Sequence, residues 1–196
     1  DYKKEKLRRK DLDQSPFIQF EKWFNQAVKS EISDVNAMSL ATCVDNRPHS
    51  RIVLLKGLLQ NKFRFFTNYN SKKGQELHKN PNCAILFHWV ELERTIRIEG
   101  RASKISDKES TAYFLSRPEG SQISAMVSNQ SEIIPSRSFL EEKLLSIVTA
   151  VKPKNWGGYD IEPVSFEFWQ GRPSRLHDRF TYELIDGNWV INRLSP

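Results

Sequence analysis

From Ala37 onward the chain is cut by turn signals into short apolar runs whose large side chains recur at every second position. Phe63 and Phe65 do so, as do Ile96 and Ile98, with Gly100 next in phase, and Phe166 and Phe168. A period of two sends alternate side chains to opposite faces of an extended backbone, so each run predicts a strand with one face turned to a core. The runs are Ala37–Val44, 50–59 with 62–67 continuing it, 82–90, 94–106, 164–169, 179–185 and Asn188–Leu194. Asp45-Asn46-Arg47-Pro48 and Asp186-Gly187 are turn sequences that join antiparallel neighbours. Six or seven strands, mostly antiparallel, are expected.

Helical patterns interrupt them. Ser15 can cap a helix over Pro16–Lys29, where Phe17, Phe20, Phe24, Ala27 and Val28 form one apolar stripe. Ser71 can cap a short helix through His78, ended by Asn80-Pro81. Ser106-Asp-Lys-Glu109 has capping-box spacing and starts a helix ending near Arg117-Pro118. Further helical stretches are expected over 120–128 and 136–151, and a loop over 152–158. Strands with inserted helices and no linker predict an α+β, barrel-like domain over 16–196, preceded by a partly mobile arm over 1–15.

A chain of 196 residues suffices for one ordinary core. Twelve Phe and five Trp concentrate the apolar surface into large rings, while a hydrophobic share of only 38% leaves room for a shared subunit interface. The net charge of +6 invites an anionic partner, but 24 acidic residues are interleaved with the basic ones. Only 3–10 is a dense basic run, expected to be a solvated arm, so phosphorylated small molecules fit better than nucleic acid. Cys43 and Cys83 lack metal spacing and read as buried free thiols of a reducing, cytoplasmic setting. No run is long and apolar enough to cross a membrane.

Several chemistries find no footing. There is no GxGxxG, Walker-type loop or GxSxG elbow, and His49, His78, His88 and His177 lack metal-ligand spacing, so no metal is expected. Anion-type positions remain. Arg51-Ile-Val-Leu-Leu-Lys56 sets two cations around an apolar strand, and Ser71-Lys72-Lys73 stands at a helix N-terminus, where free N–H groups favour an anion. Tyr113 and Arg117 share a helix face, with Ser121 beyond Pro118, and Gln130-Ser131 lies in a polar loop. Alone, Arg51–Lys56 is more often a strand with its ends in solvent, and the helix-start and Tyr113/Arg117 segments read equally well as ordinary caps and surface. Near the C-terminus the aromatic strand ending in Trp169 runs through Gly171 and Pro173 into Arg175, His177 and Arg179, which an extended backbone would point the same way.

The string 166–179, together with Arg51–Lys56, Ser116-Arg-Pro118 with Ser121-Gln122, and Trp156-Gly-Gly158, resembles the pyridoxamine 5′-phosphate oxidase family over nearly the whole chain. That resemblance implies an FMN-binding split β-barrel working as a homodimer, with FMN at the subunit interface. It implies flavin contacts from Arg51, Ile52, Val53, Leu54, Leu55, Lys56, Phe66, Thr67, Ser71, Lys72 and Lys73 of one subunit, and from Gln130, Ser131, Trp169 and Arg179 of the other. The substrate, a B6 vitamer 5′-phosphate, would be held by Tyr2, Lys56, Tyr113, Arg117, Ser121 and Leu176, with Arg175 and His177 as catalytic residues closing over its ring. Dioxygen would be the electron acceptor, and neither nucleic acid nor a membrane is implied as a partner. Three positions depart from the family pattern: Phe66 where Tyr is frequent, Lys72 where Arg is common, and Thr95 where a flavin-contacting Gln often stands.

Overall fold

The computed structural model of the chain describes residues 2–196. Nine strands and five helices occur among the described residues: α1 Pro16–Lys29, β1 Ala37–Val44, β2 Arg47–Leu54, β3 Gly57–Leu59, β4 Lys62–Asn68, α2 Lys72–Lys79, β5 Asn82–Trp89, β6 Arg94–Lys104, α3 Asp107–Ser116, α4 Glu119–Val127, α5 Arg137–Leu145, β7 Trp156–Gln170, β8 Asp178–Ile185 and β9 Asn188–Leu194. The strands form one antiparallel sheet in the order β2-β1-β5-β6-β7-β4-β3, with β8 added to β7 and β9 to β8.

β7 explains why the barrel is split. Its first half, 156–161, pairs with β4, while its second half, 165–170, pairs with β8, and β6 runs alongside both. The changeover coincides with a register shift against β6 between Glu99 and Gly100, opposite Pro163. Proline has no N–H to give the ladder, and a bulge bends the strand that carries it. A side chain at Gly100 would collide with the Glu162 carbonyl, so this close crossing requires glycine.

The core fills the barrel with rings. Phe63, Phe65, Phe87, Phe166, Phe168, Phe180 and Tyr182 point inward from the strands, and α1 closes the opening with Phe20, Trp23 and Ala27. Phe20 meets Phe63 edge-on at 4.8 Å, and Trp23 meets Phe168 at 5.3 Å. Each such ring contributes roughly 1.5–3 kcal/mol by leaving water, which makes the helix-to-barrel contact the main anchor of α1.

Several sequence expectations are corrected. The single strand expected over 50–59 is two, because Asp45 and Asn46 take φ of +52° and +57° in a two-residue hairpin that brings pairing forward to Arg47, and the ladder breaks at Leu55-Lys56. The strand expected over 164–169 begins eight residues earlier, at Trp156, so most of the loop expected over 152–158 is shorter than anticipated. α5 stops at Leu145 rather than reaching 151. In β1 the inward positions are Met38, Leu40 and Thr42, so Cys43 faces out and only Cys83 is a buried thiol. The basic arm is docked rather than merely solvated: Leu7 and Leu12 are buried, and the Leu7 N–H donates to Asp178 Oδ2 at 3.1 Å. Beneath it, the buried Arg94 stacks on Trp23 at 4.4 Å and bonds Glu5, Gln26 and Gln170. No helix among the described residues is long and apolar enough to cross a membrane.

Candidate active site

One end of β2, β4, α2, α3 and α4 encloses a cavity of about 570 Å³. Eleven of the expected site residues line it: Ile52, Val53, Leu54, Lys56, Phe66, Thr67, Lys73, Tyr113, Arg117, Ser121 and Gln130. At one end the helix α2 starts. Ser71 caps it, accepting from the Gly74 N–H at 3.3 Å, and a side chain at Gly74 would strike the Tyr69 carbonyl, which is why the helix can start so close to β4. Lys73, 8% exposed, brings its ammonium to Thr67 Oγ1 at 3.2 Å, Gln130 Oε1 at 3.1 Å and Ser71 Oγ at 3.4 Å. All three acceptors are neutral. Burial, followed by the nearby Arg51 charge, pulls the Lys73 pKa below the usual lysine value.

At the other end Phe66, Tyr113 and Trp156 stack in parallel, Phe66 to Tyr113 at 3.7 Å and Phe66 to Trp156 at 5.4 Å. Arg117 lies over Trp156 at 4.8 Å, and its Nη1 is buried with no hydrogen-bond partner. Burial lowers its pKa from the ordinary arginine value. A buried guanidinium nitrogen left without an acceptor costs free energy, which an anion in the cavity would restore. The cavity thus holds two desolvated cations, neither hydrogen-bonded to a carboxylate, beside an aromatic wall.

Arg51 and Leu55 do not line it. The Arg51 guanidinium bonds Thr42 Oγ1 at 2.7 Å, the Leu40 carbonyl at 3.2 Å and Glu76 Oε2 at 2.6 Å. Glu76 would be raised by burial, but its bonds from Thr42 and Arg51 hold its pKa below the carboxylate range. His49 Nδ1 lies 3.0 Å from Glu76 Oε1 without hydrogen-bonding alignment. Gln130, expected to reach in from a second subunit, lines this chain's own cavity and bonds Thr67 and Lys73, while Ser131, expected beside it, lies at the start of α2, where its Oγ accepts the Lys72 N–H at 3.2 Å.

The C-terminal residues build a separate surface. Trp169, Arg179 and Thr95 line one groove with Arg97 and Glu167. Tyr2, Arg175 and His177 line a neighbouring hollow of about 760 Å³ with Arg172 and Glu93. Tyr2 packs edge-on against Trp169 and His177, both at 5.6 Å, and sits over Gly171, where any side chain would displace it. His177 Nδ1 accepts the Arg172 N–H at 3.1 Å, which leaves the proton of the neutral ring on Nε2. The expected alternation of Arg175, His177 and Arg179 on one strand face does not occur. Ser174 and Arg175 take φ of +58° and +61° in a tight turn, and β8 begins only at Asp178. Arg175 and Leu176 are therefore presented by a turn and exposed.

Sequence reasoning missed Asn68, Ser124, Ala125 and Ser128 in the cavity, Glu76 as the anchor of Arg51 behind it, and Glu167 as the anchor of Arg179 in the C-terminal groove. The clue for the carboxylates was weak: both sit inside elements that look solvated in the sequence. In the sequence Trp156 stands out only through the family resemblance; in the fold it is the platform under Arg117.

The fold and site together define an antiparallel split-barrel protein whose cavity sets two desolvated cations beside an aromatic wall. Residues 24–148 match the family described as pyridoxamine 5′-phosphate oxidase, and residues 156–196 match the pyridoxine 5′-phosphate oxidase C-terminal dimerisation region. The chain belongs to the pyridoxamine 5′-phosphate oxidase family. It is 50% identical over 204 residues to a pyridoxine/pyridoxamine 5′-phosphate oxidase of a Nostoc species, covering 100% of this chain and 95% of the relative. It is 52% identical over 195 residues to the enzyme of that name from Paraburkholderia phytofirmans, covering 95% and 91%. Among solved structures, PhzG from Burkholderia lata in complex with tetrahydrophenazine-1-carboxylic acid superposes with a TM-score of 0.91 at 26% identity, covering 98% of this chain and 99% of that one.

Proposed function

We propose that the protein is an FMN-dependent oxidase that converts pyridoxamine or pyridoxine 5′-phosphate to pyridoxal 5′-phosphate, with dioxygen as acceptor and hydrogen peroxide as product. The observation that carries this reading is a pair of cations lining one cavity with no carboxylate bonded to them: Lys73, which is buried, and Arg117, which is half-buried with its Nη1 shut away from water and unpartnered. Two ligands that each bear a phosphate account for both.

Lys73, Thr67, Gln130 and the capped start of α2 are suited to the FMN phosphate, with Ser131, Ser71 and Lys72 around it. Arg51, held by Glu76, supports that end from behind rather than lining it. Ile52, Val53, Leu54 and Phe66 supply apolar and aromatic surface for the flavin ring. Bound FMN supplies the redox chemistry, accepting a hydride from the substrate and passing the electrons to dioxygen. Lys56, Tyr113, Arg117 and Ser121 are suited to the vitamer phosphate, and gripping it remote from the reacting carbon fixes that carbon's position.

Tyr2, Arg175 and His177 line a different hollow of the same chain, so the reading calls for a homodimer in which one subunit's C-terminal surface closes the other's cavity. The dimerisation region matched at 156–196 supports this arrangement. Arg175 would orient the substrate ring, and His177 Nε2 offers it a hydrogen bond. Arg175→Ala is expected to lower kcat/KM for pyridoxine 5′-phosphate at least tenfold, about one charge-assisted hydrogen bond; a value near wild type removes Arg175 from this role.

The likeness to PhzG favours a second reading, a flavin oxidase of a phosphate-free tricyclic carboxylate. Arg117 with Tyr113 and Ser121 argues for the vitamer. The test is the visible spectrum of the purified protein followed by anaerobic addition of pyridoxine 5′-phosphate. A yellow protein that bleaches supports the proposal. A preparation that cannot take up FMN, or a flavin reduced only by the tricyclic substrate, overturns it.

A further inference from the structure

Across the outer face of β6, β7 and β8 run two adjacent rungs, Thr95-Trp169-Arg179 and Arg97-Glu167-Thr181. Glu167 is 7% exposed and divides its oxygens between two guanidinium groups: Oε1 takes Arg179 Nε at 2.7 Å and Oε2 takes Arg97 Nη2 at 2.8 Å. Arg179 also donates to the Ser195 carbonyl at 2.9 Å, and the Glu167 bond raises its pKa above the ordinary arginine value. A single Glu167–Arg179 pair would be neutral. With Arg97 the cluster carries one net positive charge, and it lines the same groove as Trp169. Glu99, the other carboxylate near Arg97, is 3.7 Å away and half exposed, as Arg97 itself is, so it is a weak surface contact that offsets part of that charge.

The geometry points to Arg97 and Glu167 as members of the cofactor site: Glu167 is a positioning residue that fixes Arg179 in the Trp169 groove, and Arg97 leaves the clamp net positive toward the flavin ring. This rests on the reading that Trp169 and Arg179 face FMN. Side chains one rung apart on a sheet face share an environment, and Thr95 is short enough to leave Arg97 beside Trp169. A fixed positive charge near a flavin favours the reduced, electron-richer form, so the clamp's net charge sets the redox balance.

The experiment is the midpoint potential of bound FMN in a charge series at one position, Arg97→Lys, Arg97→Gln and Arg97→Glu, with Glu167→Gln as the opposite change. Arg97 is half exposed, so these variants retain the fold even if Glu167→Gln does not. The expected order runs from Glu167→Gln, above wild type, through Arg97→Lys, equal to it, to Arg97→Gln and then Arg97→Glu, each lower. A purely structural role would leave the potential unmoved or shift all variants the same way, and either result overturns the inference while the flavoenzyme reading stands. Failure of the unaltered protein to bind FMN instead overturns that reading.

Discussion

Arg64 and Arg117 are both largely withdrawn from water, yet they have opposite surroundings. Arg64 donates to Asp160 through two bonds of 2.7 and 2.8 Å and pairs with Glu109 at 3.0 Å. Those carboxylates, Asp160 foremost, raise its pKa. Arg117 has an aromatic platform, an orphaned Nη1 and a lowered pKa. Lys73 resembles Arg117, with three neutral acceptors and no carboxylate in hydrogen-bond reach. The fork around Arg64 ties β4 to β7 and α3, and two carboxylates already balance its charge. The difference teaches that burial alone does not separate a structural cation from a binding one; the list of its acceptors does.

The comparison breaks most visibly at Arg64. Arg64→Ala leaves the half-buried Asp160 without its partner and is expected to cost about 3 kcal/mol of folding stability with FMN affinity unchanged. Urea unfolding alongside a flavin titration checks both halves, and a large loss of affinity would place Arg64 with the binding cations. Lys73→Met should do the reverse. FMN affinity is expected to fall about 100-fold, the worth of two charge-assisted bonds, while the cofactor-free protein becomes no less stable because a desolvated charge has been removed. Arg117→Ala should raise KM for pyridoxine 5′-phosphate about tenfold with a smaller change in kcat, since it grips a remote phosphate. A drop confined to kcat would move Arg117 to the chemical step.

The smallest effect is in pH. The fold holds the Lys73 pKa below its ordinary 10.5, so between the lowered value and 10.5 the unfolded chain binds a proton that the folded one lacks. Stability of the cofactor-free protein contributed by this group therefore rises with pH through that window, and the penalty is full below it. The difference between wild type and Lys73→Met in unfolding free energy should shrink as pH approaches 10.5. A difference that is constant with pH contradicts a desolvated Lys73.

Much of the fold was legible because local chemistry decided it. α1 falls where its apolar stripe and Pro16 put it, although Ser15 makes no side-chain capping bond; β1 follows its alternation, and Asp186-Gly187 marks its hairpin. The first half of β7 was not legible: Trp156-Gly-Gly-Tyr-Asp lacks a period of two, and its extended form is imposed by β4 and β6 on either side. At the site, the cations were visible as residue types, and eleven expected residues converge on one cavity. Their acceptors were not visible. Glu76 and Arg51 lie 25 residues apart, and Glu167 and Arg179 lie 12 apart, so only the folded register shows that they meet. The turn at Ser174 and Arg175 also defeated the alternation argument, because positive φ at two non-glycine residues has no signal in that string.

The account rests on Lys73 acting as a phosphate ligand rather than a buried structural lysine. Comparing the affinities for FMN and for riboflavin, which lacks the phosphate, in wild type and Lys73→Met tests it most directly. The account predicts a strong preference for FMN in wild type that collapses in the variant through loss of FMN affinity alone, with riboflavin binding unchanged. An undiminished preference for FMN in Lys73→Met would contradict it.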